Sequence, residues 1–209
     1  MDVRIGGRSA AVAGLLIVGV GLGGGWTLRH GAERPQPEAF VAAGLTPMHR
    51  LLGELEGEYD VKIQVWSAPE AEPRAFAASA RRWLSMGGRW IEEEIDATGD
   101  ERPFIRRTLM GHNAAFPGGA RFERVTFSSA ADVPMPETGT YDSPTKTFTF
   151  SGTHEIEGFE CRTRTNLRME SHFDQVMEVY VRFKGVSPEN QGVDVGEFKA
   201  IEVRYVRRG

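Results

Sequence analysis

The sequence predicts a mainly β protein: a single antiparallel β-barrel of about ten strands, with a short N-terminal capping helix, preceded by one transmembrane or signal helix. Three observations carry this. Short strand-like runs recur from residue 58 to residue 207 with turn residues between them. A helical spacing of leucines gives way to a two-residue period within Pro47–Val65. The later runs alternate apolar and polar residues, as half-buried strands do. Sequential hairpins that close on themselves leave no exposed sheet edge, which favours a barrel over an open sandwich.

The N-terminal segment reads as a membrane address. No charged residue lies between Arg8 and Arg29, and the 20 residues between them are almost wholly small or apolar. At about 1.5 Å per helical residue they are long enough to cross a hydrocarbon core of about 30 Å. Arg4 and Arg8 precede the run, and Trp26 suits the far interface. The expectation is a signal anchor over residues 1–29, inserted through residues 9–28. The chain would then be single-pass in an inner membrane, with an exported C-terminal domain. A cleaved signal peptide is the alternative, although Gly21-Leu22-Gly23 makes a poor cleavage site. Residues 30–45, stiffened by Pro35 and Pro37, read as a juxtamembrane linker. The barrel domain is placed at 46–209.

Within that domain Thr46 suits an N-cap and Pro47 the first helical position. Met48, Leu51, Leu52 and Leu55 fall on one helical face, and Gly57 suits the exit. From Tyr59 the period becomes two, with Tyr59, Val61, Ile63 and Val65 on one face. Strands are expected near 58–67, 74–86, 88–97, 103–113, 120–129, 136–142, 146–153, 158–170, 173–184 and 196–207. The breaks carry Pro69 and Pro73, Gly87-Gly88, Gly99-Asp100, Pro117-Gly118-Gly119, Pro134 and Pro136, Ser143-Pro144 and Ser187-Pro188. Residues 74–129 alternate poorly, because Trp83, Leu84, Met86, Trp90 and Ile91 mix both faces. The barrel is expected to open there, or its outer apolar residues to meet a partner.

Ordered short matches carry a family resemblance. They are Met48–Tyr59, Gly87-Gly88-Arg89-Trp90-Ile91-Glu92, Gly111-His112-Asn113, Gly139-Thr140-Tyr141-Asp142 with Lys146-Thr147-Phe148, and Ile201–Arg207. Together they resemble the bacterial family called domain of unknown function 1579, over roughly residues 46–208. Tyr59 stands where that family usually has Trp, and His112-Asn113 where it often has Tyr-Asp. The resemblance implies a calycin-like, lipocalin-like barrel and brings no activity with it. By the same analogy the first and last strands are neighbours, and Arg207, or Arg204, covers Tyr59 of the Gly57-x-Tyr59 step.

Strand parity predicts an apolar lumen with occasional hydroxyls. Its candidate lining is Val61, Ile63, Phe148, Phe150, Thr163, Thr165, Met177, Val179 and Tyr205. Of the five histidines, no two stand at i, i+2 or i, i+4, so no metal site and no cofactor is expected. His112 and His154 form a candidate polar site only if the strands bring them together. Glu92-Glu93-Glu94 reads as a solvated strand face; Arg81-Arg82, Arg106-Arg107 and Arg162/Arg164 could bind an anion, with salt bridging to nearby acidic runs as the default reading. No nucleophile elbow, phosphate loop or zinc-helix motif is present, so no catalytic residue is assigned.

Formal net charge is −4, and residues 1–34 contribute +2 of it, leaving a mildly acidic domain without a basic stripe for nucleic acid. Cys161 is the only cysteine, which excludes an intrachain disulfide. The leading functional expectation is binding of a small apolar or amphipathic ligand in the lumen. Two rivals stand beside it: a filled barrel acting as a structural or interaction module, and an enzyme using His112 or His154 on a hydrophobic substrate.

Overall fold

The computed structural model describes residues 44–97, 104–115, 117, 119–129, 131–187 and 189–209. Helix α1 (Pro47–Gly53) is followed by β1 (Gly57–Val65), β2 (Arg74–Ser85), β3 (Trp90–Ala97), β4 (Phe104–Asn113) and β5 (Arg121–Ser128). The chain continues through β6 (Ala131–Asp142), β7 (Thr147–Ile156), β8 (Phe159–Met169), β9 (Asp174–Gly185) and β10 (Asp194–Arg207). Each strand pairs antiparallel with the next, and β10 returns to β1, closing the barrel. The closing register runs from Tyr59 opposite Arg207 to Val65 opposite Ile201. The expected membrane segment at 1–29 and nearly all of the linker lie outside the described residues. Among the described residues, no helix is long and apolar enough to cross a membrane.

The expectation that the barrel opens along the middle strands is not met, since β2 to β5 pair continuously. The weak alternation there has another cause. Luminal positions carry charge at Arg82, Glu93, Arg106 and Arg124, all buried. Trp83, Trp90, Leu109 and Val125 share the opposite, outer parity. Hydrophobicity is therefore nearly level across the two faces, and the two-residue period vanishes from the sequence while persisting in the backbone. Trp90 folds over its neighbour Gly111: a Cβ there would sit 2.5 Å from the indole, so this position takes no side chain.

Strand β6 begins earlier than expected and includes Pro134 and Pro136. Its ladder to β7 registers only from Thr138 to Asp142, so its first half pairs with β5 alone. A proline lacks the N–H that a second neighbour would require, which makes this half tolerant of it.

The interior divides into two apolar clusters. One fills the helix-capped end and the β1 wall, with Leu52, Leu55, Tyr59, Phe148, Phe150 and Val203 almost fully buried. A smaller one, with Phe159, Cys161, Val181 and Phe183, plugs the opposite end. Between them the lumen is polar.

Candidate functional site

The capped mouth is held by short-range contacts. Thr46 N–H donates to His49 Nδ1 at 3.0 Å, which places the ring proton of a neutral His49 on Nε2. Burial lowers the proton affinity of His49, keeping the ring neutral. The His49 ring meets His112 edge-on at 5.3 Å between centroids, and His112 leans on Phe122 at 4.9 Å. These histidines lock α1 to β4 and β5.

Arg207 sits at the closing seam. Its guanidinium lies 5.6 Å from the Tyr59 ring centroid, donates to Glu54 O at 2.9 Å and to Glu56 O, and meets His172 Nε2 at 2.9 Å. Gly57 has φ +148, and a Cβ there would come 2.9 Å from Arg207 Nε. The glycine makes room for the arginine, and the arginine satisfies two carbonyls at the helix exit. Arg207→Ala is expected to cost about 2 kcal/mol from lost charge-assisted hydrogen bonds and ring contact. Arg207→Lys should restore only part, because an ammonium lacks the planar fork. Urea unfolding of the three proteins measures this, and equal midpoints would remove the seam role.

The lumen departs most from expectation. It is not an apolar lining with hydroxyls; two ion-pair groups cross it. In the first, Arg82 Nε donates to Glu93 Oε2 at 2.6 Å and Arg106 to Glu93 Oε1 at 2.7 Å. Arg82 also donates to Gln175 Oε1, and its guanidinium lies 4.2 Å from the Tyr205 ring centroid. Gln175 donates to Tyr59 OH at 3.3 Å, which in turn donates to Leu55 O at 2.7 Å. Arg106 donates to Tyr205 OH at 3.1 Å. In the second group Arg124 donates to Glu137 Oε2 and to Thr165 Oγ1 at 3.1 Å. Thr163 and Thr165 hydroxyls donate to Glu137 Oε1 at 2.8 and 3.1 Å.

Burial by itself would raise the Glu93 carboxyl, but Arg82 and Arg106 outweigh it and hold it down at about 2. Burial, reinforced by Glu93, raises the Tyr205 phenol, so it stays protonated. Burial pushes the Cys161 thiol up to about 12, which makes it an inert core residue. His154 is lowered by burial against the opposing pull of Glu137.

Every member of the candidate lining belongs to inward-facing parity, but they surround little space. The luminal void is about 30 Å³, and of the candidates only Phe150, Thr165 and Met177 line it. Val61, Ile63, Phe148 and Tyr205 are consumed by the core. Thr163 is tied to Glu137, and Val179 packs between the two apolar clusters.

His112 and His154 are not brought together. The ladders set His112 level with Phe122, Gly139 and Phe150, and His154 lies further along β7 by about 13 Å. His154 instead approaches Thr163, with Nε2 3.5 Å from its hydroxyl. Among the described residues no group of three or more His, Cys, Asp or Glu is placed to hold a metal ion.

The larger concavity is a groove of about 540 Å³ at the mouth, between α1, the β6–β7 turn and the β8–β9 turn. Met48, Leu51, Tyr141 and Met169 give it apolar walls, Arg50, Lys146 and His172 a basic rim, and Gln175 connects it to the luminal network. Sequence reasoning missed this groove, because a concavity between three turns has no periodicity. It also missed the luminal charges. For Arg82, Glu93 and Arg106 the signal was the Arg-Arg and Glu-Glu-Glu runs, since neighbours in a strand point to opposite faces and at least one of each must enter the barrel; Arg124 and Glu137 lie in no such run.

A family model described as a protein of unknown function (DUF1579) matches residues 45–207. The chain belongs to this family. The match spans α1 and all of β1 to β10, so the cap, the seam and the luminal ion pairs all lie inside the DUF1579 domain. No curated protein matches the chain.

Proposed function

We propose that this DUF1579 domain is a non-catalytic binder of a small amphipathic ligand, and that it takes the ligand at the capped mouth instead of in the closed lumen. The groove carries this reading. Its volume of about 540 Å³ falls in the range of ligand sites, whereas the luminal void of about 30 Å³ holds no organic molecule. Its apolar walls suit a short hydrocarbon or ring, and Arg50 and Lys146 against the single acid Glu54 favour an acidic head. The uncharged run at residues 9–28 supports a membrane tether with the barrel on the exported side.

Native mass spectrometry of the full chain, purified from its own cells, tests the reading. A copurified amphiphile is expected, with at least tenfold lower occupancy in Leu51→Glu. A bare protein mass, or a ligand indifferent to Leu51→Glu, would overturn it.

A second reading is a barrel filled by its own side chains that serves as an interaction module. One observation favours it: Trp83, Leu109 and Val125 fall in a single outward row across β2, β4 and β5. Loss of a crosslinked partner in Trp83→Ser, with no ligand in the groove, would select it.

A further inference from the structure

The luminal charges do not balance. Among the described residues the barrel interior holds three guanidinium groups, Arg82, Arg106 and Arg124, against two carboxylates, Glu93 and Glu137. Glu202, the third buried carboxylate, lies on the outward parity of β10 with Lys199 and Arg204, and the titratable groups left inside the barrel do not make up the difference. Tyr205 and Cys161 are pushed by burial toward their neutral protonated forms, and His154 toward its neutral unprotonated form. The carboxylates are already committed: Glu93 serves Arg82 and Arg106, and Glu137 serves Arg124, Thr163 and Thr165. Arg82 is fully engaged by Glu93 and Gln175, but the other two guanidinium groups are not saturated. Arg106 Nε is buried without a hydrogen-bond partner. Arg124 turns another nitrogen toward Met177 Sδ at 3.7 Å, a weak acceptor.

A buried uncompensated cation costs several kcal/mol. The void of about 30 Å³ lies between the two ion-pair groups, with Arg82, Arg124 and the Glu93 carboxylate on its wall, so two guanidinium groups face it against one acid. Thr108 and Thr165 add hydroxyls, and Ile91 and Leu167 are among its apolar lining. Thr108 Oγ1 has only a long contact to Thr126 Oγ1 at 3.5 Å, so its proton is available.

We propose that this void binds a monoatomic anion, chloride in solution, held by the Arg124 nitrogen that otherwise meets only Met177 and by the Thr108 hydroxyl, with Arg82 adding its charge at the wall. The volume sets the ligand class. At about 30 Å³ the void has room for a water-sized or slightly larger species, which favours a monoatomic ion over an acid with a carbon chain. The sign of the excess charge selects an anion over a water. This site is separate from the mouth groove and does not depend on what the groove holds.

Crystals of the full-length protein grown in sodium bromide, with data collected at the bromine absorption edge, test it directly. An anomalous peak in the void, beside Arg82 and Arg124, is expected. In solution the melting temperature should rise with the logarithm of chloride concentration, and not with gluconate at equal ionic strength. Thr108→Val preserves the side-chain shape and should raise the half-effective chloride concentration several-fold. An empty or water-filled void in bromide, anomalous peaks on surface residues only, or identical melting in chloride and gluconate would overturn the proposal.

Discussion

Replacing Glu93 with alanine is expected to remove about 3–5 kcal/mol of folding stability, because it leaves two buried guanidinium groups without a counter-charge. Arg82 and Arg106 both donate to this one carboxylate, and all three side chains are at most 8% exposed. The neighbours supply the control. Glu94 pairs with Arg107 on the outer face at 2.6 Å, but both are substantially exposed. Glu94→Ala should cost no more than about 1 kcal/mol. Urea unfolding of the two variants measures the contrast, and comparable losses would mean that Glu93 does not hold the luminal arginines.

The same carboxylate sets an acid limit. Its folded value of about 2 lies below the ordinary 4.5, so its stabilisation is fully present above about pH 4.5 and is lost as pH falls toward 2. The gap corresponds to about 3 kcal/mol. Glu93→Gln should therefore flatten the fall in stability between pH 4.5 and 2, while lowering stability at neutral pH.

Glu93 also shows how much of the molecule was legible in the chain. Strand positions were, because turn residues punctuate them and because β1 and β7 to β10 alternate visibly. The start of α1 at Thr46-Pro47 and the seam pairing of β1 with β10 were also readable, from local capping chemistry and from family likeness. What the lumen holds was not readable. The expectation of an apolar lining assumed that the inward face is the hydrophobic one, which is true of Val61, Phe150 and Val181. It fails at Arg82, Glu93, Arg106 and Arg124, where a charged residue can face inward because its partner sits on the next strand. Arg82 lies directly opposite Glu93 in the β2–β3 ladder, and Arg124 directly opposite Glu137 in the β5–β6 ladder. That partnership depends on register, which pattern alone does not supply. The adjacent Arg81-Arg82 and Arg106-Arg107 doublets marked the places without saying which member turned in. The mouth groove was beyond sequence for a simpler reason: α1, the β6–β7 turn and the β8–β9 turn meet only once the barrel has closed.

Phe148→Ala is expected to cost about 3–5 kcal/mol and to weaken ligand retention at the mouth as well. Phe148 is fully buried and sits in an aromatic group, 5.0 Å from Phe122, 4.6 Å from Tyr141 and 6.3 Å from Phe150 between ring centroids. Deleting its ring leaves a cavity that the surrounding strands cannot collapse into, since hydrogen-bonded ladders on both sides fix the backbone of β7. The same ring supports Tyr141, whose other side forms a wall of the groove. Stability and binding should therefore fall together in Phe148→Ala. In Tyr141→Ala, a half-buried position, binding should fall with a smaller stability loss. Phe173→Ala, at a ring 54% exposed, should stay within about 0.5 kcal/mol of the parent protein. Thermal unfolding and native mass spectrometry of the three variants separate the two effects. If Tyr141→Ala kept full ligand occupancy, the groove would lose its role while the core role of Phe148 survived. If Phe148→Ala unfolded at the parent temperature, the aromatic group would not be what holds the capped end together.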